Sequence, residues 1–147
     1  MPSTLESKVN FFSNGLKPHL KNRQKLKQFI LSIFKRERKK LETINYIFST
    51  DRTLLDINQR YLKHGFYTDI ITFDLSQNKK EIIGEIYIGL ERVKGNSKKL
   101  GISFNSELHR VIFHGVLHLC GYKDKRKKDK YVMRKKEDYY LQKYFNG

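Results

Sequence analysis

The stretch Asn105-Ser106-Glu107-Leu108-His109-Arg110-Val111-Ile112-Phe113-His114-Gly115-Val116-Leu117-His118-Leu119-Cys120-Gly121 decides the fold. Asn105 or Ser106 caps a helix here and Gly121 stops it. Apolar Leu108, Val111, Ile112, Val116, Leu117 and Leu119 cover most of its girth, which predicts a buried helix that other elements must enclose. Those elements can be read outward from it. Downstream, a charged helix from roughly Asp129 to Phe145 carries Tyr131, Met133, Tyr140, Leu141 and Tyr144. Upstream, a helix over Glu91 to Leu100 stops at Gly101. Before it, Asp69-Ile70-Ile71-Thr72-Phe73 and Ile82-Ile83-Gly84-Glu85-Ile86-Tyr87-Ile88 read as strands. The polar Asn78-Lys79-Lys80 loop between them suits a hairpin or near-neighbour pair. Ser49 or Thr50 caps a helix carrying Leu54, Leu55, Ile57, Asn58, Tyr61 and Leu62, with Gly65 just past its end. Ile44 to Phe48 is a strand, Asn22 to Lys40 an amphipathic helix, and Val9 to Phe12 a short first strand. The order predicts an α/β fold: about four strands in a mixed sheet, packed with about five helices.

At 147 residues the chain is expected to form a single domain over 1–147, large enough to bury a core without disulfides. Its one cysteine, Cys120, permits no internal disulfide, as expected of a reducing compartment. The amino terminus lacks the basic start and apolar run of a secretory signal, and no run of about 18 apolar residues suits a membrane span. A cytoplasmic protein with no membrane role is expected. Lys plus Arg number 31 against 15 Asp plus Glu, a net charge of +16, which favours an anionic partner such as nucleic acid. An anionic membrane surface is the rival partner.

Chemistry concentrates in His114 to Asp124. Residues four apart share a helix face, so His114 and His118 can hold one ion together. Past the Gly121 stop, the chain can turn back and bring Asp124 to the same ion. Two imidazoles and a carboxylate leave open positions, as a catalytic site requires. The plainer alternative makes both histidines core residues bonded to backbone carbonyls. Gly115 stands where metalloproteases carry a general-base glutamate, which counts against peptide hydrolysis. The same ligand types occur in non-haem iron oxygenases, but nothing else here suggests a 2-oxo-acid pocket.

The segment H-G-x-L-H-L-x-G-Y from His114 to Tyr122 closely resembles the signature of the YbeY endoribonuclease, or rRNA maturation factor, family. Asn58, Tyr61 and Thr68-Asp69-Ile70-Ile71-Thr72-Phe73 resemble that family's N-x-x-Y…P-T-D-V-L-S-F segment, and Ile83-Gly84-Glu85-Ile86 its G-D-I strand. The likeness spans roughly Leu54 to Asp124. It departs at Asp124, which replaces a third histidine ligand, and at Leu62, which replaces an arginine expected to act on the phosphate. Lys63 or His64 can substitute for that arginine; Tyr67 replaces a proline and concerns only the turn.

The resemblance implies a single-strand-specific, metal-dependent endoribonuclease. It would act in rRNA maturation at the 3′ end of small-subunit RNA and in ribosome quality control, with single-stranded rRNA and the ribosome as partners. It implies one Zn2+ per chain, or another divalent ion, on His114, His118 and Asp124, which act catalytically through the water that the metal activates. An aspartate in place of a neutral ligand lowers the site's charge by one and makes the ion a weaker Lewis acid. Candidate RNA contacts are Lys63, Lys123, Lys125, Arg126, Lys127 and Lys128; Lys35, Arg36, Arg38, Lys39 and Lys40 form a second basic cluster. Glu85 is a candidate acid/base group or support for a ligand, its plainer reading being a strand glutamate paired with a lysine. Tyr122 either orients a ligand or fills the core, the core being the preferred reading; Cys120 packs as a small apolar residue, and His64 and His109 are ordinary polar or half-buried residues. The competing class is a non-catalytic, zinc-containing RNA-binding or ribosome-associated protein.

Overall fold

The computed structural model describes residues 8–63, 65, 67–78 and 80–147. His64 and Lys79 therefore lie outside the described residues.

Four strands form one sheet: β1 (Val9–Ser13), β2 (Leu41–Ser49), β3 (Ile70–Asp74) and β4 (Ile82–Gly89), in the order β1-β2-β4-β3. β1, β2 and β4 run parallel, and β3 pairs antiparallel with β4, with Thr72 opposite Ile86. Five α-helices accompany it: α1 (Arg23–Arg36), α2 (Asp51–Ile57), α3 (Leu90–Leu100), α4 (Phe104–Leu119) and α5 (Lys127–Asn146). The α/β architecture expected from the element order is the one observed, and β3 and β4 are the expected neighbours.

Strand alternation sorts the two faces. Val9, Ile44, Tyr46, Phe48, Ile86 and Ile88 are buried on the face toward α4, where the Tyr46 hydroxyl donates to the Ile112 carbonyl at 3.0 Å. The other face carries the Asn10–Asn45 hydrogen bond (3.0 Å) and Glu85, whose Oε1 accepts from the Tyr87 hydroxyl at 2.7 Å. α4 is buried along almost its whole girth, as its composition requires. It lies so close to the sheet at Gly115 that an added Cβ would sit 2.6 Å from Ile86 Cδ1.

Several element ends differ from the sequence expectation. Ser103, not Asn105 or Ser106, caps α4, its side chain accepting from the Ser106 N–H at 3.0 Å. α1 ends at Arg36 rather than near Lys40, because Arg38 turns left-handed (φ 59°) and the Lys39 N–H closes onto the Phe34 carbonyl. Thr50 caps α2, which widens into one π-helical turn over Asn58–Leu62 and stops at left-handed Lys63, short of Gly65. The last helix begins at Lys127, two residues before Asp129.

Candidate active site

α4 carries His114 and His118 one turn apart, with their rings parallel to within 6° and centroids 6.4 Å apart. At Gly121 (φ 107°) the chain reverses, and the Tyr122 N–H bonds back to the Leu117 carbonyl at 3.1 Å. This brings Asp124 Oδ2 to 3.1 Å from His114 Nε2. The local turn expected after the glycine is what joins the two groups.

Each ring also has a fixed Nδ1. His118 Nδ1 donates to the Tyr122 carbonyl at 3.1 Å, and His114 Nδ1 donates to Glu137 Oε2 at 2.6 Å. Glu137, buried on α5, also accepts from Arg110 Nη1 at 3.0 Å. Arg110 in turn is clasped by buried Glu107, through Nε at 2.8 Å and through Nη2. Burial pulls the His114 imidazole down, but the Glu137 carboxylate and Asp124 win and hold it above its ordinary value. For Glu137, burial pushes up, and the His114 hydrogen bond and Arg110 charge hold it below the usual carboxylate range.

The donor chemistry fits a zinc-like ion. Both Nδ1 atoms are tied to acceptors, which sets the tautomer and leaves Nε2 as the free ligand atom of each ring. Two atoms on one tetrahedral zinc lie about 3.3 Å apart, near the 3.1 Å between His114 Nε2 and Asp124 Oδ2. As the side chains stand, the two groups form an ion pair only when the imidazole is protonated. Among the described residues, no three histidine, cysteine or acidic side chains are gathered tightly enough to enclose an ion.

The site opens into a cleft of about 360 Å³. Thr68, Asp69, Ile70 and Thr72 form one wall; Arg110, Val111, His114 and His118 the other; Asp124 and Lys125 close it. Burial raises the Asp69 carboxyl against the pull of Arg110 and His114. The expected residues therefore divide. His114, His118, Asp124 and Lys125 come together, whereas Lys123, Arg126, Lys127 and Lys128 are exposed and do not line the cleft. Lys63 is exposed and also absent from its walls, as is Leu62, 41% exposed.

Glu85 is removed from the site. It occupies the opposite face of the sheet and bonds Tyr87 rather than a lysine, because strand parity turns it away from α4. Tyr122 does two things: its hydroxyl donates to Glu37 at 2.7 Å, and its carbonyl orients His118. Burial pushes the Cys120 thiol up to about 12, which suits a packing role. His109 is buried against Phe113 and Tyr144, with Nδ1 on the Asn105 carbonyl.

Sequence reasoning missed Glu137, Glu107 and Arg110 as site residues. A signal for the first existed: Met133, Glu137, Tyr140 and Tyr144 fall on one buried helical stripe, and an acid on such a stripe needs a partner.

The model of the family described as Endoribonuclease YbeY matches residues 11–145. The Endoribonuclease YbeY of Cytophaga hutchinsonii is 44% identical over 133 residues, 90% of this chain and 93% of its own length. That of Karelsulcia muelleri is 46% identical over 133 residues, again 90% of this chain and 93% of its own length. The solution structure of a Thermotoga maritima protein superposes with a TM-score of 0.63 at 25% identity, covering 94% of this chain and 89% of that one.

Proposed function

The chain belongs to the Endoribonuclease YbeY family, and on that premise we propose that it is a metal-dependent endoribonuclease that cuts single-stranded RNA. In this reading it acts on rRNA, at the 3′ end of the small-subunit RNA and in ribosome quality control, in the cytoplasm. The observation that carries it is the pair of histidines with tied Nδ1 atoms beside Asp124, lining an open cleft.

His114, His118 and Asp124 would hold one zinc or similar divalent ion. When bound, such an ion supplies Lewis-acid stabilisation of phosphate charge and an acidified water. The chain's own groups do the rest. Glu137 and the Tyr122 carbonyl hold the rings in place, so that little reorganisation is needed on loading. Displacing a proton from His114 makes ion binding weaken as pH falls. Lysines hold the RNA backbone without reading sequence. No helix among the described residues is long and apolar enough to cross a membrane.

Metal analysis together with a single-stranded RNA cleavage assay tests this reading. The wild type should hold about one equivalent of metal and cleave, and His118→Ala should lose both. Undiminished cleavage by metal-stripped protein would overturn it. Metal retained without any cleavage would favour a non-catalytic RNA-binding protein.

A further inference from the structure

The cleft described above is half of a longer trough. A second cleft, about 230 Å³, shares Arg110, His114 and Asp124 with it and continues on the far side of them. Its outer bank is α5, through Lys130, Met133, Arg134 and Glu137. The His114–Asp124 contact therefore sits at the middle of a trough whose two banks differ in charge. On the β3 bank stand Thr68, Asp69 and Thr72, which offer hydroxyls and a carboxylate but no cation.

Within the trough, Arg110 is already matched. Glu107 and Glu137 both clasp it, so its charge is spent inside the protein. A phosphate approaching His114 also meets Asp124 and Asp69, and without free cations it would be repelled. Two exposed cations are at hand on α5. Lys130 is exposed and takes part in no ion pair among the described residues. Arg134 has a side chain 56% exposed and reaches Glu137 only at 3.9 Å, an acid already occupied by Arg110 and His114. Positions four apart share one helix face with about 6 Å of rise between them, a spacing that successive phosphates of one extended strand can match.

We propose that Lys130 and Arg134 grip the substrate's phosphate backbone, laying a single RNA strand along α5 so that it crosses the His114–Asp124 contact. This assignment rests on the endoribonuclease reading and adds to it the direction of the strand and the residues that hold it. It moves the main basic contact from the Lys125–Lys128 run to the next two turns of the helix; of that run only Lys125 faces the trough.

The test compares wild type, Lys130→Ala/Arg134→Ala and Lys127→Ala/Lys128→Ala in binding a single-stranded RNA oligonucleotide across a salt series. Zinc content and thermal midpoint are measured beside it. Losing two phosphate contacts on single-stranded RNA should lower the slope of log K against log salt by about 1.4 and weaken binding about 25-fold at 0.1 M salt. The Lys127/Lys128 variant should change the slope by less, and the charge-keeping Lys130→Arg/Arg134→Lys variant should restore it. Cleavage by the Lys130/Arg134 variant should show a raised KM with zinc content intact. Unchanged slope and affinity in that variant, or an equal loss in the Lys127/Lys128 variant, would overturn the assignment while leaving the endoribonuclease reading standing. A wild type that neither binds nor cleaves RNA would overturn both.

Discussion

Asp124 is half exposed, yet it faces His114, an imidazole that Glu137 holds from the other side. If the carboxylate is a ligand, Asp124→Ala should abolish most metal binding and RNA cleavage, since two histidines leave the ion underligated. Asp124→His should keep the metal. It should also lower the pH optimum, because removing a negative ligand strengthens the ion as a Lewis acid. Metal stoichiometry and a pH–rate profile check both outcomes; a full equivalent of tightly held metal in the alanine variant refutes the ligand role. The residues of this contact were legible because they are local. His114 and His118 are one turn apart, and Asp124 follows a glycine stop. Glu137, 23 residues further on, was not, since only the packing of α5 on α4 brings it to His114.

Helix α4 depends on a glycine at its point of closest approach to the sheet. Gly115 follows His114 and faces Ile86 on β4 and Ile70 on β3. A Cβ there would need both isoleucines or the helix to move. Gly115→Ala should therefore cost about 1–3 kcal/mol of stability and weaken metal binding by shifting His114. Urea unfolding and zinc titration measure the two effects; a variant as stable as wild type with unchanged metal affinity would show that the sheet yields at no cost. The glycine was visible in sequence as the absence of a protease glutamate, but its packing role was not. Helix boundaries tell the same story. Gly101 and Gly121 mark ends correctly because glycine favours the left-handed turn. Arg38 and Lys63 end helices in that same conformation without any such sign, so α1 was read too long, and the helical run through Leu62 ends on Lys63 rather than at Gly65.

Across the molecule, one carboxylate joins three elements. Glu37, just past α1, accepts from the Tyr122 hydroxyl at 2.7 Å, from Lys136 at 3.3 Å and from the Tyr140 hydroxyl. The loop bearing Asp124 is thus fastened to α1 and α5 together. Burial alone would raise the Glu37 carboxyl, but the three donors outweigh it and hold the group below its ordinary 4.5. A lowered folded-state value means stability that is present above 4.5 and lost as pH falls through the folded-state value. Glu37→Gln should cost about 2 kcal/mol at pH 7 and flatten the acid limb of the stability profile below that range. Urea midpoints at pH 7 and pH 3.5 test it, and equal losses at both would refute the charge-based account.

By itself, the sequence determined the α/β class, the burial of α4, the pairing of β3 with β4 and the histidine face. Each follows from periodicity or from groups within a few residues of one another. The tertiary structure alone decided which carboxylate stands behind His114. It also decided that Arg110 is neutralised by Glu107 and Glu137, and that α5 supplies the basic bank of the trough. These depend on how α4, α5 and the sheet pack, and electrostatic contacts between such distant segments leave no periodic trace in the order of residues.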